Sequence, residues 1–158
     1  MSEILQATSV YLSSMSVTRD GLAPTGPGQA QLSFAFSNPE VLDGGLRMGS
    51  KLDVAIYAES DSDAEEEVDP FCQISVEYVA EMQLADGYSI EDWQKHVSLA
   101  DLNRFVVATT YPLHRSRVME TTMHMEIPVL RMPQVLEPSD APTSSELDGS
   151  ANVAPSAR

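Results

Sequence analysis

The chain has 158 residues, enough for one domain that buries about 68–70% of its unfolded surface. It carries 24 acidic against 9 basic residues, a formal net charge of −15, so it has no positive track for phosphate and nucleic acid is not an expected partner. A single cysteine, Cys72, rules out an internal disulfide and fits a reducing, cytoplasmic setting; MSEILQATSV reads as no secretory signal, and no stretch reaches the ~20 apolar residues of a membrane span.

Four segments alternate with the strand period of two. Over Thr8–Thr18 the alternation places Tyr11, Met15 and Val17 on one face and Val10 and Leu12 on the other. Over Gln31–Ser37 it aligns Leu32, Phe34 and Phe36, and over Lys51–Glu59 it aligns Leu52, Val54, Ile56 and Ala58. Phe71–Leu84 has the longest run, with Cys72, Ile74, Val76, Tyr78, Ala80, Met82 and Leu84 opposite Gln73, Ser75, Glu77, Glu81 and Gln83. An antiparallel sheet with one wet face accounts for this pattern. Pro24, Pro27, Asn38-Pro39 and Asp43-Gly44-Gly45 supply turns, and Asp61–Asp69 forms an acidic loop ended by Pro70.

The period then changes to that of a helix. Ser89 with Asp92, and Ser98 with Asp101, each fit a capping box; Tyr88 with Trp93, and Val97 with Leu102, occupy the positions of a hydrophobic staple. These signals predict a short helix near Ile90–His96 and a long one from Leu99 to Met125, kinked where Pro112 cannot donate to Ala108. The fold class is therefore α+β: a four-stranded antiparallel sheet, then a short helix and a long kinked helix packed on it. The domain spans 5–137. Residues 138–158, rich in proline and serine and without aromatics, read as a disordered acidic tail.

Chemistry-bearing residues do not assemble into a site. His96, His114 and His124 lack further ligands at a metal spacing, and the last two, ten residues and so ~15 Å apart along a helix, should not converge. Asp61-Ser62-Asp63-Ala64-Glu65 begins like a calcium loop, but Glu66 stands where glycine is required and Cys72 where the bidentate glutamate belongs. Gly44, Gly45 and Gly49 precede no Gly-Lys-Ser/Thr, no serine sits in a Gly-x-Ser-x-Gly elbow, and Cys72 lies on an apolar strand face. No catalytic residue, metal or cofactor is expected, and the chain does not read as an enzyme.

What remains is surface. Of eight methionines, Met119, Met123, Met125 and Met132 gather at the end of the long helix, where they either form an adaptable binding surface or fill gaps in the core. Two apolar stripes run along that helix: Leu102, Phe105, Val106 and Leu113, and Val107, Tyr111, Val118 and Met125. One can face the sheet; the other implies self-association. Tyr11, Val107, Tyr111, Val118 and Met125 are thus the expected oligomer interface.

Tyr111-Pro112-Leu113-His114-Arg115, a helical run, and then Ile127-Pro128-Val129-Leu130 resemble the SecB export chaperones. That family has an aromatic-Pro-aromatic-x-Arg element in its long helix and an aromatic-Pro-x-Leu element about a dozen residues on. The resemblance covers residues 8–136, with its specific part at 104–132. It implies an ATP-independent holdase that binds unfolded or nascent polypeptides in extended apolar grooves, including for protein export, as a homotetramer built from two dimers. Aromatic and methionine side chains dominate adaptable apolar sites, which makes Phe34, Phe36, Tyr57, Tyr78, Trp93 and Met123 the expected client-binding residues. After the Pro-x-Leu element the family's second helix is missing, as is the ending that contacts the SecA motor, so docking on that motor is not implied. In this the chain is similar to SecB-like proteins encoded beside toxin–antitoxin pairs, which raises the alternative of a chaperone dedicated to one antitoxin or phage protein. From charge alone, a further alternative is an acidic mimic of nucleic acid that inhibits a DNA-binding enzyme.

Overall fold

Strand alternation, placed in backbone register, resolves into one antiparallel sheet crossed on one face by one long helix. The computed structural model describes residues 4–20, 28–58, 69–127, 132–136 and 150–153. In chain order these hold β1 (Leu5–Arg19), β2 (Gly28–Phe36), β3 (Glu40–Leu42), β4 (Gly45–Ala58), β5 (Cys72–Leu84), a 3-10 turn (Ile90–Lys95), α1 (Leu99–His124) and β6 (Ser150–Val153). The sheet runs β1-β5-β4-β2-β6, with β3 folded back on the start of β4. It has six strands rather than the four expected. A three-residue strand such as β3 shows no period, and β6 falls within the segment read as an unordered tail; the rest of that tail lies outside the described residues.

Burial on β5 follows the predicted parity: Cys72, Ile74, Val76, Tyr78, Ala80 and Met82 are buried, and the residues between them are not. β4 extends six residues further upstream than its alternation indicated, through Gly45 and Gly49. A Cβ at Gly45 would stand 2.5 Å from the carbonyl oxygen of Met82, so β4 and β5 approach here only because the residue is glycine. Gly49 donates its amide to Ser37 Oγ at 2.7 Å, which holds the end of β2 against β4.

β1 departs from strict alternation. Its register to β5 skips a residue between Ala7 and Ser9, and again between Leu12 and Ser14. The second irregularity reverses the phase, so Val10, Leu12, Met15 and Val17 share the face of Ala80, Tyr78, Val76 and Ile74, and Tyr11 lies opposite beside Val79. This corrects the expectation that Tyr11, Met15 and Val17 share a face.

Ser98 caps α1 by accepting from Asp101 N at 3.1 Å, and its hydroxyl donates to Asp101 Oδ2 at 2.7 Å. Val97 and Leu102 meet in the core as the staple requires; Tyr88 instead sets its ring edge-on to His96 at 5.0 Å. The helix passes through Pro112 without interruption, and Ala108 and Pro112 are both exposed, where water can reach the freed carbonyl. At the C-terminus Ile127 N donates to Thr122 O (3.0 Å) and Glu126 N to Met123 O (3.2 Å), the two bonds of a Schellman motif. Its left-handed position is Glu126, at φ 56°, where glycine is the unstrained choice. Glu126→Gly should raise stability by about 0.5–1 kcal/mol, measured by urea denaturation; a destabilised variant would mean that the Glu126 side chain supports the turn.

Two apolar clusters lie between helix and sheet. One joins Leu5, Leu46, Met48, Met82, Trp93, Val97, Leu102 and Val106; the other joins residues of β2, β4 and β5 with Val107, Tyr111, Val118, Ile127, Met132 and Leu136. Phe36 touches both. Both helix stripes therefore find partners inside the protomer, except at Leu113, which is exposed.

Candidate functional site

Two features stand out on this scaffold: a sealed polar centre between helix and sheet, and apolar surface that the helix leaves uncovered. The polar centre arises because Ser50 occupies an inward position of β4, between Met48 and Leu52, and faces the i,i+4 pair Thr110 and His114. Ser50 Oγ stands 2.9 Å from Thr110 Oγ1 and 3.0 Å from His114 Nε2, and Thr110 Oγ1 donates to Val106 O at 2.8 Å. One assignment gives every donor an acceptor: His114 Nε2–H to Ser50 Oγ, Ser50 O–H to Thr110 Oγ1, and Thr110 O–H to Val106 O. It leaves Nδ1 as a bare lone pair, and that atom has no partner. Phe34 and Tyr78 present ring edges to the imidazole at 5.2 and 4.9 Å. Burial pushes the His114 pKa down to about 4, against a weaker upward pull from Ser50.

A serine hydroxyl 3.0 Å from an imidazole has the separation of a nucleophile and its base. Here, however, both side chains are sealed from solvent, no carboxylate orients Nδ1, and the imidazole is far too weak a base at neutral pH. The arrangement suits packing rather than acyl transfer. Burial likewise raises the Cys72 thiol pKa, opposed by Arg19, so little thiolate exists at neutral pH. Sequence reasoning missed the polar centre because Ser50 was read as lying before its strand. The available signal was a serine at the buried parity of β4.

The uncovered surface starts at β1. From Tyr11 onward every β1 residue is exposed, including Leu12, Met15 and Val17 on the helix side and Tyr11 (42 % exposed) on the other. Among the described residues β1 pairs with β5 alone, and its outer edge is the free edge of the sheet they form. Arg19, at its end, donates to Met125 O at 3.0 Å and ties the strand to the helix C-terminus. On the helix, Leu99, Leu113 and Met123 (74 % exposed) face outward.

The expected client-binding residues divide accordingly. Met123 is exposed, and Phe36 and Tyr57 are half-buried, with the Tyr57 hydroxyl donating to Gln31 Oε1 at 3.3 Å. Phe34, Tyr78 and Trp93 lie in the core, which corrects their assignment to a surface groove: Phe34 and Tyr78 share the inward parity of Leu32 and Val76, and Trp93 fills the cluster beneath the 3-10 turn. Among the expected interface residues, Tyr11 is exposed and Met125 half-buried. Val107, Tyr111 and Val118 are buried against the protomer's own sheet, so they are not open to a second chain. Tyr111 also donates its hydroxyl to Pro133 O at 2.7 Å and holds the 132–136 segment, through which Met132 and Leu136 close the core. Of Ile127-Pro128-Val129-Leu130, Ile127 is buried; the other three lie outside the described residues, as do 61–68 of the acidic loop.

An antiparallel sheet crossed by a single long helix that carries an internal proline, with a closing segment tied to the aromatic before that proline, is the SecB-like α+β fold. Neither a protein-family profile nor a curated protein sequence matches the chain. Among solved structures it is similar to a Mycobacterium tuberculosis SecB-like chaperone in complex with a ChAD peptide from the HigA1 antitoxin. That match has a TM-score of 0.56, 15% sequence identity, and coverage of 86% of this chain and 94% of the other. The likeness is one of fold.

Proposed function

We propose that this protein is a non-enzymatic, ATP-independent holdase of the cytoplasm that binds unfolded polypeptide in extended form. The observation that carries the reading is the apolar surface that the protomer leaves uncovered on a SecB-like fold: Leu12, Met15 and Val17 on β1, and Leu99, Leu113 and Met123 on α1. The β1 strip takes a second copy of the chain, because an edge strand with apolar side chains is otherwise an aggregation hazard, and the exposed helix residues are left for the client. The net charge of −15 keeps the loaded assembly soluble and favours basic clients. The body of the protein, residues 5–137, assembles as a homotetramer, a dimer of dimers, with Tyr11 and its neighbours on β1 in place of the buried helix stripe. Service in export is part of this reading; a SecA dock is not.

A dedicated chaperone for one partner is the second reading. It is favoured by the antitoxin peptide bound to the structurally similar mycobacterial protein. Suppression of aggregation tests both: an unrelated unfolded client should be held in solution equally well with and without ATP. An ATP requirement would overturn the holdase reading, and activity confined to one client would select the dedicated chaperone. Binding that vanishes as salt rises would instead favour the acidic mimic.

A further inference from the structure

One arginine differs from the others. The chain holds 24 acidic against 9 basic residues, so carboxylates are plentiful. Arg47 pairs with Glu40 and Glu81, Arg104 with Asp101 and Arg117 with Glu120, while Arg19 donates to Met125 O. Arg115 has no hydrogen bond or ion pair among the described residues, although it is half-buried and its Nε is sealed from water. One turn back, Tyr111 is fixed to Pro133 O. The Arg115 charge opposes the rise that burial gives the Tyr111 hydroxyl pKa, which places the two side chains close together. A guanidinium partly withdrawn from water and left unpaired is a ready receptor for a carboxylate.

Its neighbours on the helix indicate what brings that carboxylate. Arg115, Met119 and Met123 stand at i, i+4 and i+8 on one ridge of α1, and exposure rises along it from half-buried Arg115 and Met119 to Met123 at 74 %. Each step along such a ridge is about 6 Å. Alternate residues of an extended peptide are about 6.6 Å apart, so the two repeats stay in step along this ridge. We propose that the ridge selects extended client segments that carry a carboxylate with apolar side chains two and four residues away on the same face. The carboxylate docks on the Arg115 guanidinium, and the apolar pair lies on Met119 and Met123. The arginine fork takes both carboxylate oxygens, and methionine adapts to aliphatic and aromatic neighbours alike. The net charge of −15 draws basic stretches from a distance. At ~0.15 M salt that field is screened beyond about 8 Å, and the contact with Arg115 decides which segment stays. The inference rests on the holdase reading for the nature of the partner and specifies the segment that is held.

The test uses the full chain, its Arg115→Gln variant and three dye-labelled octapeptides of serine that carry two leucines. One has glutamate at the matching spacing, one has glutamine in its place, and one has the glutamate moved by a single residue onto the other face. The first should bind the unaltered chain about tenfold more tightly than the other two. Arg115→Gln should erase that preference and change the affinity for the glutamine peptide less than about twofold. Should the variant fail to fold, the peptide with the displaced glutamate reads the same contact in the unaltered chain. Equal affinity for the three peptides, or a preference that outlives Arg115→Gln, would overturn the proposal. So would a glutamate peptide left unbound by a chain whose oligomer Arg115→Gln breaks, which would give the ridge to a second copy. Peptides bound without preference, with aggregation suppression intact, leave the holdase reading standing; an unaltered chain that suppresses no aggregation defeats that reading whatever its peptide preference.

Discussion

Acidification should remove about 3 kcal/mol of folding stability through His114 alone, from a pKa of 6.5 in the unfolded chain to about 4 in the fold. The folded value lies below the unfolded one, so the contribution is whole above pH 6.5. It falls as the pH drops through the interval, because there the unfolded chain binds a proton that the fold refuses. Urea midpoints measured between pH 7 and pH 4 should show this as a slope that His114→Gln abolishes. Should that variant fail to fold, the ring itself reports: its NMR signals should stay fixed from neutral pH to about pH 5. A His114 that titrates near 6.5 would show that the centre is wet and the packing argument wrong.

That centre also explains how the helix finds its place. Apolar clusters above and below accept many helix registers at similar cost, since Leu102, Val106 and Val118 are interchangeable in kind. Ser50, Thr110 and His114 are not. A shift of α1 along the sheet would leave these buried polar groups without partners, at about 1–3 kcal/mol each. Pro112, on the exposed side two residues before His114, leaves the buried i+4 row from Leu102 to Thr122 unbroken.

Legibility in the sequence followed local rules and failed where a local rule was silent. β5 was readable residue by residue because it is covered on one face along its length. The start of α1 followed from Ser98, whose cap is local; its end was placed at Met125, one residue beyond His124. β1 misled because a bulge leaves no mark in composition, yet it moves Met15 and Val17 to the other face. The first half of β4 was hidden by Gly45 and Gly49, which read as turn and act as close contacts between strands. Aromatic size suggested a groove at Phe34, Tyr78 and Trp93, whereas strand parity already placed the first two inside.

Charging the exposed strip on β1 should dissolve the assembly without unfolding the protomer. Leu12→Asp and Met15→Asp act on side chains that the protomer leaves 41 % and 37 % exposed, so neither opens a cavity. In the proposed assembly those side chains are covered, each burial contributing about 1.5–3 kcal/mol. Their joint loss, on the order of 4 kcal/mol, weakens association about a thousandfold, enough to turn a micromolar solution of oligomer into folded monomer. Sedimentation of the double variant, with its circular dichroism unchanged, checks this. Placing charges at Tyr111 and Val118 should instead unfold the protomer, because both are sealed under the sheet. Clients are left the exposed helix residues Leu113 and Met123. Apolar burial is not screened by salt, whereas exposed charge pairs add about 0–1 kcal/mol and fade as the Debye length falls below ~8 Å. Client affinity should therefore survive ~0.5 M salt while association slows, and it should drop when Leu113 and Met123 are replaced by aspartate. An unaltered chain that sediments as a folded monomer at micromolar concentration would remove the assembly, and client affinity indifferent to charge at Leu113 and Met123 would move the binding surface elsewhere on the fold.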